Sequence, residues 1–568
     1  MEAKHSHGCK GGEASGGNEL PVVTTASGKV RGTVQYTNDL LDKPVYTFKG
    51  IPYAAPPVGD LRFRAPKPAV PWEGIRDAST LGAFCPQDMS FFALIATKLP
   101  HTVTDEDCLT VNIDTPTLEK NARLPVLLWI HGGGLILGMG EQFPYTSLAA
   151  HQDIVVVTFN YRVGPLGFLS TGDENAPGNV GFLDQVQAMV WVQENITNFG
   201  GDPGRVTIFG QSAGAASVCY QVVSPLSKGL FQRAISQSGV CQTCDTFSKP
   251  LERAVMLAEE LGCDTKDTAS MIACLRQKST DDIVAAHQRL FMKIADLGFT
   301  SPFPPSVDGV FLPAHPNVLL EKGQVNTGSY LLGVNNHECG FLIPSSIVPN
   351  FGQGMDEETF SAMLKTLVRQ PYPVSVQDNI VAVLRKAYCN GGDQDDPLAT
   401  QYQFTKIMGD NMVVAPTASV ADRIAGSGHV YLYENQYIPS FLSADRPDWV
   451  GCDHDDELLI VAGAAMLDVP RQDGGIMSFS EEDKKTSLYY MAYWANFART
   501  GNPSDRTGGP VDSPTPTVPE WPQYTPGNPA YMKLDLTSSA DIGFHPDRMA
   551  LWNDVIPKLV AASGRDEL

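Results

Sequence analysis

The chain has 568 residues, 43% of them hydrophobic and 18% charged, an ordinary globular balance with ample material for a core. Its 63 acidic and 41 basic side chains leave a formal net charge of −22, with no basic run to offset it, which argues against nucleic acid or an anionic membrane surface as a partner. No stretch approaches the roughly 18 consecutive apolar residues of a membrane-spanning helix, so no transmembrane segment is expected.

Residues 1–19 are polar and Gly-rich, lack the apolar core of a signal peptide, and read as a disordered tail. His5, His7 and Cys9 have metal-binding side chains, but a tail without fixed geometry is the simpler reading. Residues 20–560 read as one folded unit, without internal repeat or linker. Residues 22–48 read as short β pieces with a turn at Ala26-Ser27-Gly28, and residues 50–71 as a Pro-rich irregular segment. Strands then alternate with helices, the pattern of an α/β fold with a mostly parallel sheet. Residues 126–130 (VLLWI) and 154–159 (IVVVTF) are continuous apolar runs suited to buried central strands. Helical spacing follows over 182–199, ended by Gly200-Gly201-Asp202-Pro203. A short strand is predicted over 206–209, with helices over 213–223, 252–261 and 356–367 and a surface loop over 503–519. The tail 561–568 ends in Arg565-Asp566-Glu567-Leu568, a near variant of the KDEL retrieval signal. That ending suits the endoplasmic reticulum lumen or secretory pathway, whereas the polar N-terminus leaves a cytoplasmic location as the alternative. Eleven cysteines leave at least one unpaired in an oxidised monomer, and Cys241-Gln-Thr-Cys244 reads as a loop pair or two inert thiols.

Gly210-Gln211-Ser212-Ala213-Gly214 fits G-x-S-x-G and lies between a predicted strand and a predicted helix, the context a nucleophile elbow requires. Glycines flanking a sharp turn leave room for Ser212, and the helix N-terminus aims N–H groups at the same point. His131-Gly132-Gly133-Gly134 follows the strand at 126–130, where bare N–H groups can hold an oxyanion. Serine needs an adjacent base. The order serine, acid, histidine selects residues downstream: Glu338 at the end of an apolar segment, and His454 on a loop before another. His337, beside Glu338, is out of that order.

On these residues the sequence resembles the type-B carboxylesterase/cholinesterase family over roughly residues 20 to 560. The match includes FGGDPGRVTIFGQSAG at 199–214, EDCLTVN at 106–112, NYRVGPLGF at 160–168, VDGVFLP at 307–313 and WANFARTGNP at 494–503. The resemblance implies an α/β-hydrolase fold, a Ser212–Glu338–His454 triad, and an oxyanion hole from the backbones of Gly133, Gly134 and Ala213. It also implies disulfides Cys85–Cys108 and Cys263–Cys274, which favour an oxidising compartment. Asn195-Ile-Thr197 is a glycosylation sequon, but it falls within a predicted helix. Two positions depart from the family: Gln211 stands where glutamate is usual, and Asp455 where glycine is usual. No tryptophan lies between Cys85 and Cys108, so the aromatic platform for choline is missing and choline esters are not expected. Phe91, Phe92, Leu94 and Ile95 there suggest either an apolar rim or ordinary packing.

The implied activity is serine carboxylesterase chemistry through an acyl-enzyme, on a small-molecule or lipid-like ester and with no metal or organic cofactor required. Activity is expected to fall as pH drops through an imidazole pKa of about 6.5. The competing reading is a catalytically inactive or highly selective family member acting in protein interaction, since the same fold can serve as a binding module.

Overall fold

A computed structural model of the chain describes residues 20–37, 43–94, 97–244, 250–295, 301–345, 351–369, 372–389, 396–442, 446–510 and 517–563. The tail residues His5, His7 and Cys9, the C-terminal Arg565–Leu568 and Ile95 lie outside them, as do the side chains of Phe91, Leu94 and Cys244.

The strands are β1 (Val22–Thr24), β2 (Lys29–Arg31), β3 (Thr33–Tyr36), β4 (Pro44–Pro52), β5 (Ile75–Asp77), β6 (Thr110–Thr115) and β7 (Leu124–Ile130). They continue as β8 (Val155–Phe159), β9 (Gly201–Gln211), β10 (Arg233–Gln237), β11 (Ser329–Asn335), β12 (His429–Asn435), β13 (Ala530–Leu534) and β14 (Ser539–Ile542). Eleven form one sheet in the order β14-β13-β12-β11-β10-β9-β7-β8-β6-β4-β3, while β1, β2 and β5 form a small separate sheet. The run from β8 through β7 and β9 to β13 is parallel, and antiparallel pairs close both edges. This is the α/β-hydrolase architecture.

The apolar runs become central strands because both faces of the sheet are covered. Along β7, Val126, Leu128 and Ile130 enter one buried cluster, and Leu127 and Trp129 enter a second on the opposite face. Helix Glu481–Thr500 covers the second face. It starts at a capping box between Ser480 and Asp483, stops at Gly501 in the left-handed region (φ 85°), and buries Trp494 completely. The helix Ala213–Val223 begins and ends as its residues predict, halted before Ser224-Pro225. The predicted helix over 182–199 is α-helical over Val180–Asn195 and 3-10 over Ile196–Phe199.

The strand predicted over 206–209 starts earlier, at Gly201, because Leu124 pairs with Gly201 across a register shift that resumes at Val126 and Val206. Asn195 is buried, with its Oδ1 accepting from Ala26 N–H (2.7 Å) and its Nδ2 donating to Trp191 O (2.8 Å). The sequon asparagine is therefore a tether between β1 and the helix end. Disulfides join Cys85 to Cys108 and Cys263 to Cys274. A third joins Cys219 to Cys241, which corrects the reading of Cys241 and Cys244 as partners or inert thiols: helix Ala213–Val223 carries Cys219 to Cys241. Among the described residues, no helix is long and apolar enough to cross a membrane.

Candidate active site

The carboxyl ends of the central parallel strands lie close together. Ile130 pairs with Gly210, Gln211 with Gln237, Gln237 with Gly333, and Asn335 with Asn435. Loops leaving β7, β9, β11 and β12 thus meet above one sheet edge, where ligands bind in such folds.

Ser212 occupies the turn between β9 and helix Ala213–Val223 with φ 57° and ψ −126°. Backbone held in so sparsely populated a region costs about 1–3 kcal/mol and persists only where its surroundings enforce it. Here Ser212 N–H donates to Gln237 O (2.8 Å), and Ser212 O accepts from Ala216 N–H (2.9 Å). Glycine at 214 is required by close approach, since a Cβ there would lie 2.1 Å from Ile130 O.

The glycine loop presses against this elbow. A Cβ on Gly132 would stand 2.8 Å from Gln211 O and 3.2 Å from Ser212 Cβ. Gly133 (φ 102°) and Gly134 (φ 63°) turn through conformations that L side chains resist. Their N–H groups are used in no hydrogen bond among the described residues. Ala213 supplies the first N–H of the serine helix. The loop is anchored by Gln87, whose Oε1 accepts from Gly138 N–H (2.6 Å) and whose Nε2 donates to Gly138 O (2.8 Å) and Cys85 O (2.9 Å). Asn160 adds a second anchor between Gly140 N–H (2.8 Å) and Cys108 O (3.2 Å). The disulfide loop therefore buttresses the glycines. Phe92 in that loop is buried against Phe84 and Met139, which makes it packing and not rim.

Glu338 and His454, 116 residues apart, meet at 2.6 Å between Oε2 and Nδ1. Both side chains are buried, and Glu338 Oε1 accepts from Asn335 N–H (2.8 Å). The His454 pKa is raised above the imidazole value of 6.5: burial pulls it down, but the Glu338 carboxylate, with Asp455 and Asp453 adding to it, outweighs that. His454 Nε2 faces the elbow, where Gln211 Nε2 lies 3.1 Å away and Asp455 Oδ1 3.8 Å away. Among the described hydrogen bonds, none joins Nε2 to the Ser212 hydroxyl; the side chain before the serine occupies that nitrogen. Asp455 has φ 78°, and burial raises its carboxyl above the ordinary range against the pull of His454.

The contacts that hold this pair were not legible in the sequence. Asp453 accepts from three successive N–H groups, Gly340 (2.7 Å), Phe341 (2.9 Å) and Leu342 (2.8 Å). His337, out of order as a base, bridges the two loops: its Nδ1 accepts from Gly451 N–H (3.0 Å) and its Nε2 meets Thr405 Oγ1 (2.9 Å). Burial, with Lys406 and Arg446 nearby, lowers its pKa to about 3, so it stays neutral. Glu457 accepts from Gln237 Nε2 (3.1 Å) and Asn335 Nδ2 (2.8 Å), and Gln237 Oε1 accepts from Trp494 Nε1 (3.0 Å). Chain-distant amides at strand ends gave no local pattern by which to find them. Among the described residues, no group of three or more His, Cys, Asp or Glu side chains is arranged to hold a metal ion.

Comparison with known proteins matches residues 19–552 to the model of the Carboxylesterase family. The chain is 40% identical to Carboxylesterase 1D of Rattus norvegicus over 562 residues, covering 95% of this chain and 94% of that protein. It is also 40% identical to Liver carboxylesterase of Sus scrofa, with the same coverage. Against Cocaine esterase of Homo sapiens it is 38% identical over 549 residues, covering 95% of this chain and 92% of that protein.

Proposed function

We propose, from the premise that this chain belongs to the carboxylesterase family and is a carboxylic-ester hydrolase, that Ser212 is its nucleophile, His454 its general base and Glu338 the acid that orients the histidine. The observation that carries this reading is the 2.6 Å contact between Glu338 Oε2 and His454 Nδ1, which leaves Nε2 at the elbow, 3.1 Å from the amide of Gln211 beside Ser212. Nδ1–H donates to the carboxylate, so neutral His454 presents a lone pair at Nε2.

Ser212 Oγ attacks the ester carbonyl carbon as its proton passes to Nε2, and the carbonyl electron pair moves onto oxygen. The Gly133, Gly134 and Ala213 N–H groups hold that oxyanion, and each such donor contributes roughly 100- to 1,000-fold in rate. Nε2–H then protonates the departing alkoxide, leaving an acyl-serine. Water repeats the sequence on the acyl group, and Ser212 is regenerated. Gln211 must yield Nε2 as the substrate arrives; its amide can present either its NH2 or its oxygen to the ring as the ring changes charge.

The substrate in this reading is a small-molecule or lipid-like ester. The three disulfides among the described residues support folding in an oxidising compartment, the endoplasmic reticulum lumen or the secretory route beyond it. The test is hydrolysis of p-nitrophenyl acetate and butyrate by wild type, Ser212→Ala and His454→Ala. Turnover by wild type with near-background rates for both variants is expected. Unchanged turnover in either variant would overturn the assignment of that residue.

A further inference from the structure

Asp455 keeps a carboxylate under two structural penalties. Its backbone lies at φ 78°, where glycine is at ease and a side chain is strained. Its Oδ1 atom is shielded from solvent with no hydrogen-bond partner, although the side chain as a whole is 42% exposed. A buried acceptor left unpaired is unfavourable. Both penalties fall on the residue next to His454, and the unpaired oxygen lies 3.8 Å from Nε2, the nitrogen that must accept the serine proton.

The other charged groups around the ring are already engaged. Glu338 is spent on Nδ1. Asp453 is capped by three backbone N–H groups. Asp456 is paired with Arg446 at 2.7 Å. Glu457 is bonded to Gln237 and Asn335. Lys406, which faces Glu338 from the helix Pro397–Gly409, donates to Asn336 O at 2.7 Å. Gln211 touches Nε2 but carries no charge. Among the described residues, Asp455 is the carboxylate with an oxygen, Oδ1, that no hydrogen bond engages on the Nε2 side of the ring, and its other neighbour there is the Gln211 amide.

We propose that Asp455 is a positioning residue for ester hydrolysis: its carboxylate meets the positive charge that appears on the His454 ring as Nε2 takes the Ser212 proton. In the deprotonated, active form the ring carries a lone pair at Nε2 and no charge, so Oδ1 has little to interact with. In the transition state Nε2–H is formed, and the unpaired oxygen acquires a cationic neighbour. The interaction is stronger in the transition state than in the ground state, so it raises kcat rather than affinity. Gln211 touches the same nitrogen at 3.1 Å, so a carboxylate introduced at 211 would also reach Nε2 and take over the task.

The proposal rests on the triad reading above. Its test is the pH profile of kcat/KM for p-nitrophenyl butyrate in wild type, Asp455→Asn, Gln211→Glu and the double variant, with fluorophosphonate labelling to count active sites. In Asp455→Asn the acid limb should move to lower pH by roughly 0.5–1 unit, the partial exposure of the carboxylate reducing a larger effect. Maximal kcat should fall roughly 10-fold with KM little changed. Gln211→Glu should move the limb the other way, and the double variant should return close to wild type. Asp455→Gly relieves the backbone strain, so it should lose rate while keeping or raising the melting temperature, which separates the effect from misfolding. An acid limb in Asp455→Asn that superimposes on wild type overturns the proposal while the triad stands. Full activity in His454→Ala overturns the triad instead.

Discussion

Glu338 divides its two carboxylate oxygens between the backbone N–H of Asn335, at 2.8 Å, and His454 Nδ1, at 2.6 Å. The first contact locks the acid to the end of β11, and the second sets which ring nitrogen carries the proton. Glu338→Gln keeps the shape but can present its NH2 to Nδ1, favouring the wrong tautomer and removing the charge that stabilises the imidazolium. A fall in kcat of about 10³- to 10⁴-fold is expected, with labelling of Ser212 slowed in proportion. A loss under about tenfold would mean that Glu338 does not orient the base.

The pH profile carries a second expectation. The base works only when deprotonated, and its pKa is raised because Glu338, with Asp455 and Asp453, outweighs burial. Activity should therefore be lost as pH falls through a midpoint above the free imidazole value of about 6.5. Measuring kcat/KM from about pH 5 to about pH 10 decides it. A midpoint at or below about 6.5 would mean that the carboxylates do not govern the ring in the working enzyme.

What could be read ahead of the structure was local. The Ser212 elbow is written in five consecutive residues, and helix Ala213–Val223 follows from small residues after it and Ser224-Pro225 behind it. Glu338 and His454 could be offered as candidates from chain order and the family resemblance, and the structure brings the two side chains to 2.6 Å of each other. Contacts made across the chain could not be read. Gln211 and His454 are separated by 243 positions, and neither sequence neighbourhood hints that a glutamine will occupy the base nitrogen. Asn195 could be placed in a predicted helix, but helix periodicity does not say that the turn after β1 will hydrogen-bond to its side chain. The early start of β9 at Gly201 depends on a register shift against β7, which Gly-Gly-Asp-Pro disguises as a loop.

The oxyanion loop predicts a steric result. A methyl group on Gly133 would lie 2.3 Å from Leu137 O, on a backbone at φ 102°. Gly133→Ala must move the loop and with it two of the three candidate donors. The expected loss is about 100- to 1,000-fold in kcat, with KM changed far less. Near-normal kcat would show that the oxyanion is held elsewhere.

Asn195 should carry no glycan. Its amide is buried and bonded on both sides, to Ala26 N–H and Trp191 O, so an oligosaccharide has neither room nor a free nitrogen. Peptide mass spectrometry of protein from a secretory host should find the 195–197 sequon unmodified. Asn195→Ala should lower stability by about 1–3 kcal/mol, as expected where buried hydrogen-bond partners are left unpaired. Glycan at high occupancy would contradict the tether.

The Cys219–Cys241 disulfide fastens the serine helix to the segment after β10, and both cysteines are fully buried. Closing a loop over a sequence separation of 22 restricts the unfolded chain. For such a loop the gain is about 2–4 kcal/mol, so Cys219→Ala/Cys241→Ala should lower unfolding free energy by that amount. The loss should appear as a lower denaturation midpoint. Because Ser212 heads that helix, activity should also be lost at a lower temperature than in wild type. Non-reducing peptide mapping gives the direct check: a peptide pair joining Cys219 to Cys241 is expected, and a Cys241–Cys244 link would restore the loop-pair reading and remove the staple from beneath the nucleophile.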